Sequence, residues 1–254
     1  MNLVVEQESF KKKSISGHEI ELSHGFVKIN HISFWEDNPR IYSLLDLERE
    51  DETIDADLIY QKLRKTKDFD KLLNQVKEDG SIYEPIWIGK HPSSKDYIVY
   101  EGNTRLAVAK LLRDNGDSRF SMIEVNKFPD DTPLKYIKKF VGDSHLKGKN
   151  KWNSYEKYGW MYREIISYQK QTRESISSSI TQVAKDYSET RSQIQKCYDL
   201  VNFMEDNKLS SAVRRESIYY WEEIIKSGAI KKVRKDFDKD ALISLSSADL
   251  KYKS

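Results

Sequence analysis

The apolar period changes once along this chain, and that change limits the fold more than any other feature. Up to about residue 125, short strand-like apolar runs alternate with helical spacing; from about Pro133 onward the period is helical almost throughout. A chain of 254 residues written this way is expected to be α+β. A small mixed-sheet domain over 1–140 comes first, and an all-α domain over 141–254 follows. No repeat and no low-complexity linker separates the halves.

Composition narrows the class. An aromatic share of 11% excludes a disordered chain, because such chains lack the groups to bury apolar area. Cys197 is the single cysteine, so no internal disulfide and no multi-cysteine zinc site is possible. The five histidines show no metal-ligand spacing. The N-terminal run MNLVVEQESFKKK has no signal-peptide core, and no apolar run is long enough to span a bilayer. A soluble, cytoplasmic protein with no membrane partner is expected. The formal net charge is only +2, so any nucleic-acid face must come from local clustering.

In the first half, Ile20–Leu22 and Val27–Ile32 read as short strands around a turn at Gly25. Leu58–Leu63 suits a short helix, and a second helix starts near Asp68 and ends at Gly80. Pro85–Ile88 and Tyr97–Tyr100 are strands, Leu106–Leu112 is a helix and Met122–Val125 is a last strand.

The segment YIVYEGNTRLAVAKLL carries the most chemistry. An apolar strand runs through a short polar loop directly into a helix, whose first amides have no partners inside it. The helix dipole adds about half a positive charge there. Gly102 lets the backbone approach a ligand, Thr104 offers a hydroxyl, and Arg105 offers a planar fork for phosphate oxygens. The plain structural alternative stays open: Gly102 turns the chain, Asn103 or Thr104 caps the helix, and Arg105 is solvated.

Several segments, in order, resemble the ParB/sulfiredoxin-fold family. HISFWEDNPRI resembles its first box, DFDKLLNQVKEDGSIYEPIWI its helix, glycine and strand, and EGNTRLAVAKLL its phosphate box. DSHLKGKNKW resembles the segment that follows in many ParB-like proteins. The likeness covers roughly residues 25–205. It implies a ParB-like nucleotide-binding domain followed by a helix-turn-helix. It also implies phosphate contacts from Arg40, Gly102, Asn103, Thr104 and Arg105, with CTP or ATP and Mg2+ as cofactors. Partition proteins carry Gly-Glu-Arg-Arg at this box. Gly-Asn-Thr-Arg after an acidic residue looks closer to divergent members that act as ATPases, nucleases or small-molecule kinases. If chemistry occurs, Glu101 is the candidate acid or base, and Glu101 and Asp143 the candidate magnesium ligands.

The run ITQVAKDYSETRSQIQKCYDL, within about 179–204, has helix-turn-helix spacing. Val183, Ala184, Tyr187, Ile194 and Cys197 are expected inside. Thr190, Arg191, Ser192, Gln193 and Lys196 are expected outside, where they can reach bases and phosphates. The reading is a nucleotide-modulated DNA-binding protein, a homodimer on paired half-sites. Its alternatives are a Mg-dependent nucleoside triphosphatase, nuclease or phosphotransferase acting at Glu101–Arg105, and a nucleotide-free adaptor.

Overall fold

The structure is a computed structural model that describes residues 6–15, 18–38, 55–146, 152–206 and 218–226. The chain divides into two compact units, residues 1–150 and 151–254. The fold is α+β: a mixed sheet with helices, then helices alone among the described residues.

The first unit is built on a six-stranded sheet. Its strands are β1 (Glu6–Ile15), β2 (His18–Lys28), β3 (Ile32–Phe34), β4 (Ile86–Lys90), β5 (Tyr97–Glu101) and β6 (Met122–Lys127). The spatial order is β1-β2-β6-β4-β5-β3. The β4/β6 and β3/β5 pairs are parallel and the others antiparallel. Helices α1 (Ala56–Arg64), α2 (Lys67–Asp79), α3 (Asn103–Asp114) and α4 (Leu134–Leu146) complete it.

Alternation along the strands sends residues to both faces. Ile86 and Ile88 of β4 join Val27, Val125, Leu106 and Val108 in the larger core cluster, which α1, α2 and α3 also enter through Ile59, Phe69 and Ala107. Trp87, between those two isoleucines, packs instead against Phe140 of α4, ring centres 4.3 Å apart, and against Phe128. Gly89 matches Trp87 in parity; a Cβ there would stand 2.8 Å from the Tyr100 ring.

The helix ends follow local chemistry. Asp55 caps α1 by accepting from the Leu58 amide, and Thr66 caps α2 by accepting from Phe69. Asp68 and Asp70 lie in the first turn of α2, favourably for its dipole, and Gly80 closes it in the left-handed region at φ 75°.

The β2 region corrects one expectation. Gly25 makes no turn: it is a buried residue inside one continuous strand, paired with Val125. Strand β1 follows no apolar alternation, and its lysines suit an edge strand that must not pair with another chain. Lys13 is exposed but partly covered at its ammonium. Its ammonium sits 4.6 Å from the Trp87 and Phe140 ring centres, and burial lowers its pKa.

The second unit holds α5 (Ser154–Thr172), α6 (Ile176–Tyr187), α7 (Arg191–Asp206) and α8 (Ile218–Lys226). Asn153 and Glu156 form a reciprocal capping box at the start of α5. Trp160, Met161, Ile165, Ile180, Val183, Ile194, Leu200 and Met204 are buried where α5, α6 and α7 meet. The Tyr187 hydroxyl donates to Glu164 at 3.1 Å and the Tyr158 hydroxyl to Glu222 at 2.7 Å.

Burial pushes the Cys197 thiol up to about 12 and raises Tyr187 well above the usual phenol range. Both groups hold their protons more tightly when folded than unfolded. Their contribution is therefore complete below the ordinary thiol range and fades as pH rises through it toward 12. For Cys197 alone the slope is about 1.4 kcal/mol per pH unit at most. The expected result is a thermal midpoint of the second unit that falls steadily above about pH 9. A maleimide should label Cys197 only on unfolding; fast labelling of the native protein at pH 8 would contradict its burial.

Candidate functional site

Strand β5 ends at Glu101 and helix α3 opens at Asn103, so Gly102 alone makes the connection. It lies at φ 98° and supplies no side-chain cap. The amides of Asn103, Thr104 and Arg105 therefore open the helix without intrahelical partners, and the Leu106 amide is the first to bond back, to the Gly102 carbonyl at 2.9 Å. Neither Asn103 nor Thr104 is the cap. Gly102 is also required for a reason other than ligand approach: a Cβ there would lie 2.6 Å from Cγ2 of Ile86.

This helix entrance opens on a cavity of about 390 Å3. Gly102, Asn103, Thr104 and Arg105 form one wall, with Glu101 and His145 beside them; α2 contributes Asp68, Lys71 and Gln75. Asn103 is 5% exposed, and neither its Oδ1 nor its Nδ2 has a hydrogen-bond partner. A buried carboxamide left unsatisfied costs about 1–3 kcal/mol, which makes this residue a marker for a missing polar partner.

Arg105 is not solvated. Its side chain is 14% exposed. Nη1 donates to the Pro85 carbonyl at 3.0 Å, the Glu84 carbonyl at 3.1 Å and the Glu84 carboxylate at 3.2 Å. Nη2 donates to Oε2 of Glu101. The other Glu101 oxygen stands 3.7 Å from Nε2 of His145. Glu84 is a site residue that the sequence did not point to, while His145 belongs to the DSHLKGKNKW segment that resembles the family. Their signal is spatial, since Glu84 lies on the approach to β4 and His145 near the end of α4.

The remaining expected residues fall as follows. Asp143 lies on α4, two residues before His145. Both its oxygens accept from Lys139 one turn earlier, at 2.8 and 2.9 Å, and it does not line the cavity. Among the described residues no group of three or more His, Cys, Asp or Glu side chains could hold a metal ion. Arg40 lies outside the described residues.

In the second unit Ser188, Glu189 and Thr190 separate α6 from α7. Ser188 takes the left-handed conformation at φ 54°, the place a glycine often fills, and the Glu189 amide closes α6 by donating to the Ala184 carbonyl at 3.0 Å. Val183, Ala184, Tyr187, Ile194 and Cys197 are all buried. Thr190, Arg191, Ser192 and Gln193 are exposed and Lys196 is half-buried.

Three of these have structural work of their own. The Thr190 amide donates to Oε1 of Gln193 at 3.1 Å, and the Gln193 amide to Oγ1 of Thr190 at 3.2 Å, which is a capping box for α7. Arg191 reaches back to α6, donating to Ser177 at 2.9 Å and Thr181 at 3.3 Å. Its guanidinium is thus held on the exposed side of both helices.

No family model matches the chain, and no curated protein matches it. Solved structures do match. The C-terminally truncated chromosome-partitioning protein ParB from Caulobacter crescentus, complexed with CTP-gamma-S, is 13% identical. That match covers 84% of this chain and 97% of that one, with a TM-score of 0.33. Two structures of a pNOB8-like ParB N-domain are also similar. One is 9% identical, covers 90% of this chain and 99% of that one, and has a TM-score of 0.41. The other is 10% identical, covers 97% and 98%, and has a TM-score of 0.43. No helix among the described residues is long and apolar enough to cross a membrane.

Proposed function

We propose that the chain is a DNA-binding protein whose first unit takes a nucleoside triphosphate, CTP or ATP, at the Gly102–Arg105 helix entrance. The observation that carries this is the unpartnered carboxamide of Asn103 on a cavity that also meets the free amides of α3. A space of about 390 Å3 lies within the ordinary range for small-ligand sites. The ordered resemblance of the motifs to ParB-like proteins points the same way.

Charge decides what must come with the phosphates. The cavity wall carries Asp68, Glu84 and Glu101 against Lys71 and Arg105. A bare polyphosphate would meet more carboxylate than cation, so Mg2+ is expected to accompany it. Binding is preferred to hydrolysis as the role of this site. Glu101 already has Arg105 at one oxygen and His145 near the other, which is the place of a counter-ion and not of a free base.

The DNA face is assigned to the start of α7, with Arg191 and Lys196 toward phosphates and Ser192 beside them. A homodimer follows from the pairing of such helices on two half-sites.

The test is a thermal-shift panel of CTP, ATP and ADP, each with Mg2+, with and without duplex DNA. Saturation at a hundred times the dissociation constant is expected to stabilise the first unit by about 2.7 kcal/mol. No shift with any nucleotide would leave the helix entrance as a structural turn and the adaptor reading in its place.

A further inference from the structure

The geometry points to Glu84 as a displaceable carboxylate that sets how strongly the Arg105 site binds anions; this deepens the nucleotide reading and rests on it. Nη1 of Arg105 has two hydrogens and faces three acceptors. Two of them, the carbonyls of Glu84 and Pro85, belong to the backbone entering β4 and cannot leave without disturbing the sheet. The third is the Glu84 carboxylate, at 3.2 Å the longest of the three, on a side chain 74% exposed. Glu101, 16% exposed and held also near His145, is the anchored partner.

An incoming phosphate therefore has one acceptor to replace at low cost. Glu84 can swing into solvent, while the carbonyls and Glu101 keep the guanidinium aimed. Exposed ion pairs of this kind are weak, so the exchange is easy for a multiply charged phosphate oxygen. The contact given up is the same for every anion that takes this place, so Glu84 acts as a common competitor. Glu84 thus lowers the affinity of the site for every anion, through the contact that must be given up and through like-charge repulsion at the cavity wall.

The experiment measures binding of MgATP, MgCTP and inorganic tripolyphosphate to the full chain and to Glu84→Gln and Glu84→Ala. Glutamine keeps an acceptor for Arg105 and removes the charge; alanine removes both. The expected result is a dissociation constant lowered about threefold to tenfold in both variants, with the difference shrinking at high salt. Tripolyphosphate should gain at least as large a factor as acetate, because the repulsion removed grows with ligand charge. Because Glu84 is exposed, both variants should keep the ligand-free melting temperature. If the parent chain binds nucleotide and the variants bind equally or more weakly, Glu84 is no competitor, and the nucleotide site stands without it. If none of the three proteins binds any phosphate ligand, the site and the role of Glu84 fall together.

Discussion

Replacing Gly102 by alanine is expected to destabilise the first unit by about 2–4 kcal/mol, before any ligand is considered. Two costs add. The residue sits at φ 98°, a conformation that L side chains rarely adopt. The new methyl would also lie 2.6 Å from Cγ2 and 3.0 Å from Cβ of Ile86, a fully buried residue in the main cluster. Ile86 has nowhere to retreat, since Val99, Val125 and Leu106 belong to the same cluster. A stability loss of that size is a large share of what a domain usually has, so the melting temperature should fall by several degrees. A double-mutant cycle with Ile86→Ala isolates the clash. The two changes together should cost less than their sum by about 1–2 kcal/mol, with the backbone strain remaining. If glycine were there only to admit a ligand, Gly102→Ala would lower nucleotide affinity and leave the ligand-free midpoint untouched. That outcome would overturn the packing argument.

The contrast shows what a sequence exposes. The need for glycine at 102 was legible, but the neighbour that enforces it was not, because Ile86 reaches it only through strand pairing. The two helices on either side of the Ser188–Thr190 turn were legible, since Val183, Tyr187, Ile194 and Cys197 fall on a helical period that burial simply fills. Strand β1 was not legible: an edge strand is defined by what it lacks, and EQESFKKKSI carries no buried alternation to detect. Gly25 misled because glycine in a polar run reads as a turn, whereas here its partner Val125 lies far along the chain. At the site, spacing gave the strand, loop and helix but showed Arg105 as a free fork. Its acceptors Glu84 and Pro85 come from another strand's approach, and His145 from a later helix. The capping box at Thr190 and Gln193 was present as a T-x-x-Q signal, yet the same residues also read as base contacts.

That double use shapes the second prediction. Changing Arg191 and Lys196 together to alanine is expected to weaken DNA binding about tenfold to a hundredfold near 0.1 M salt, and to lower the slope of log affinity against log salt by about 1.8. Each removed cation releases one fewer condensed counterion, so the slope counts phosphate contacts and is insensitive to a general loss of fold. Thr190→Ala and Gln193→Ala are the controls. Each breaks the α7 capping box and should cost about 1 kcal/mol of stability, with little change in the salt slope. Ser177→Ala probes the remaining element. The Ser177 hydroxyl accepts from Arg191 at 2.9 Å, so losing it loosens the guanidinium, which keeps Thr181 at 3.3 Å, without removing its charge. Affinity should drop modestly there while the slope holds, because ordering and charge are separate contributions. A salt slope unchanged in the Arg191/Lys196 double variant would move the DNA face off the start of α7, however well its two helices pack.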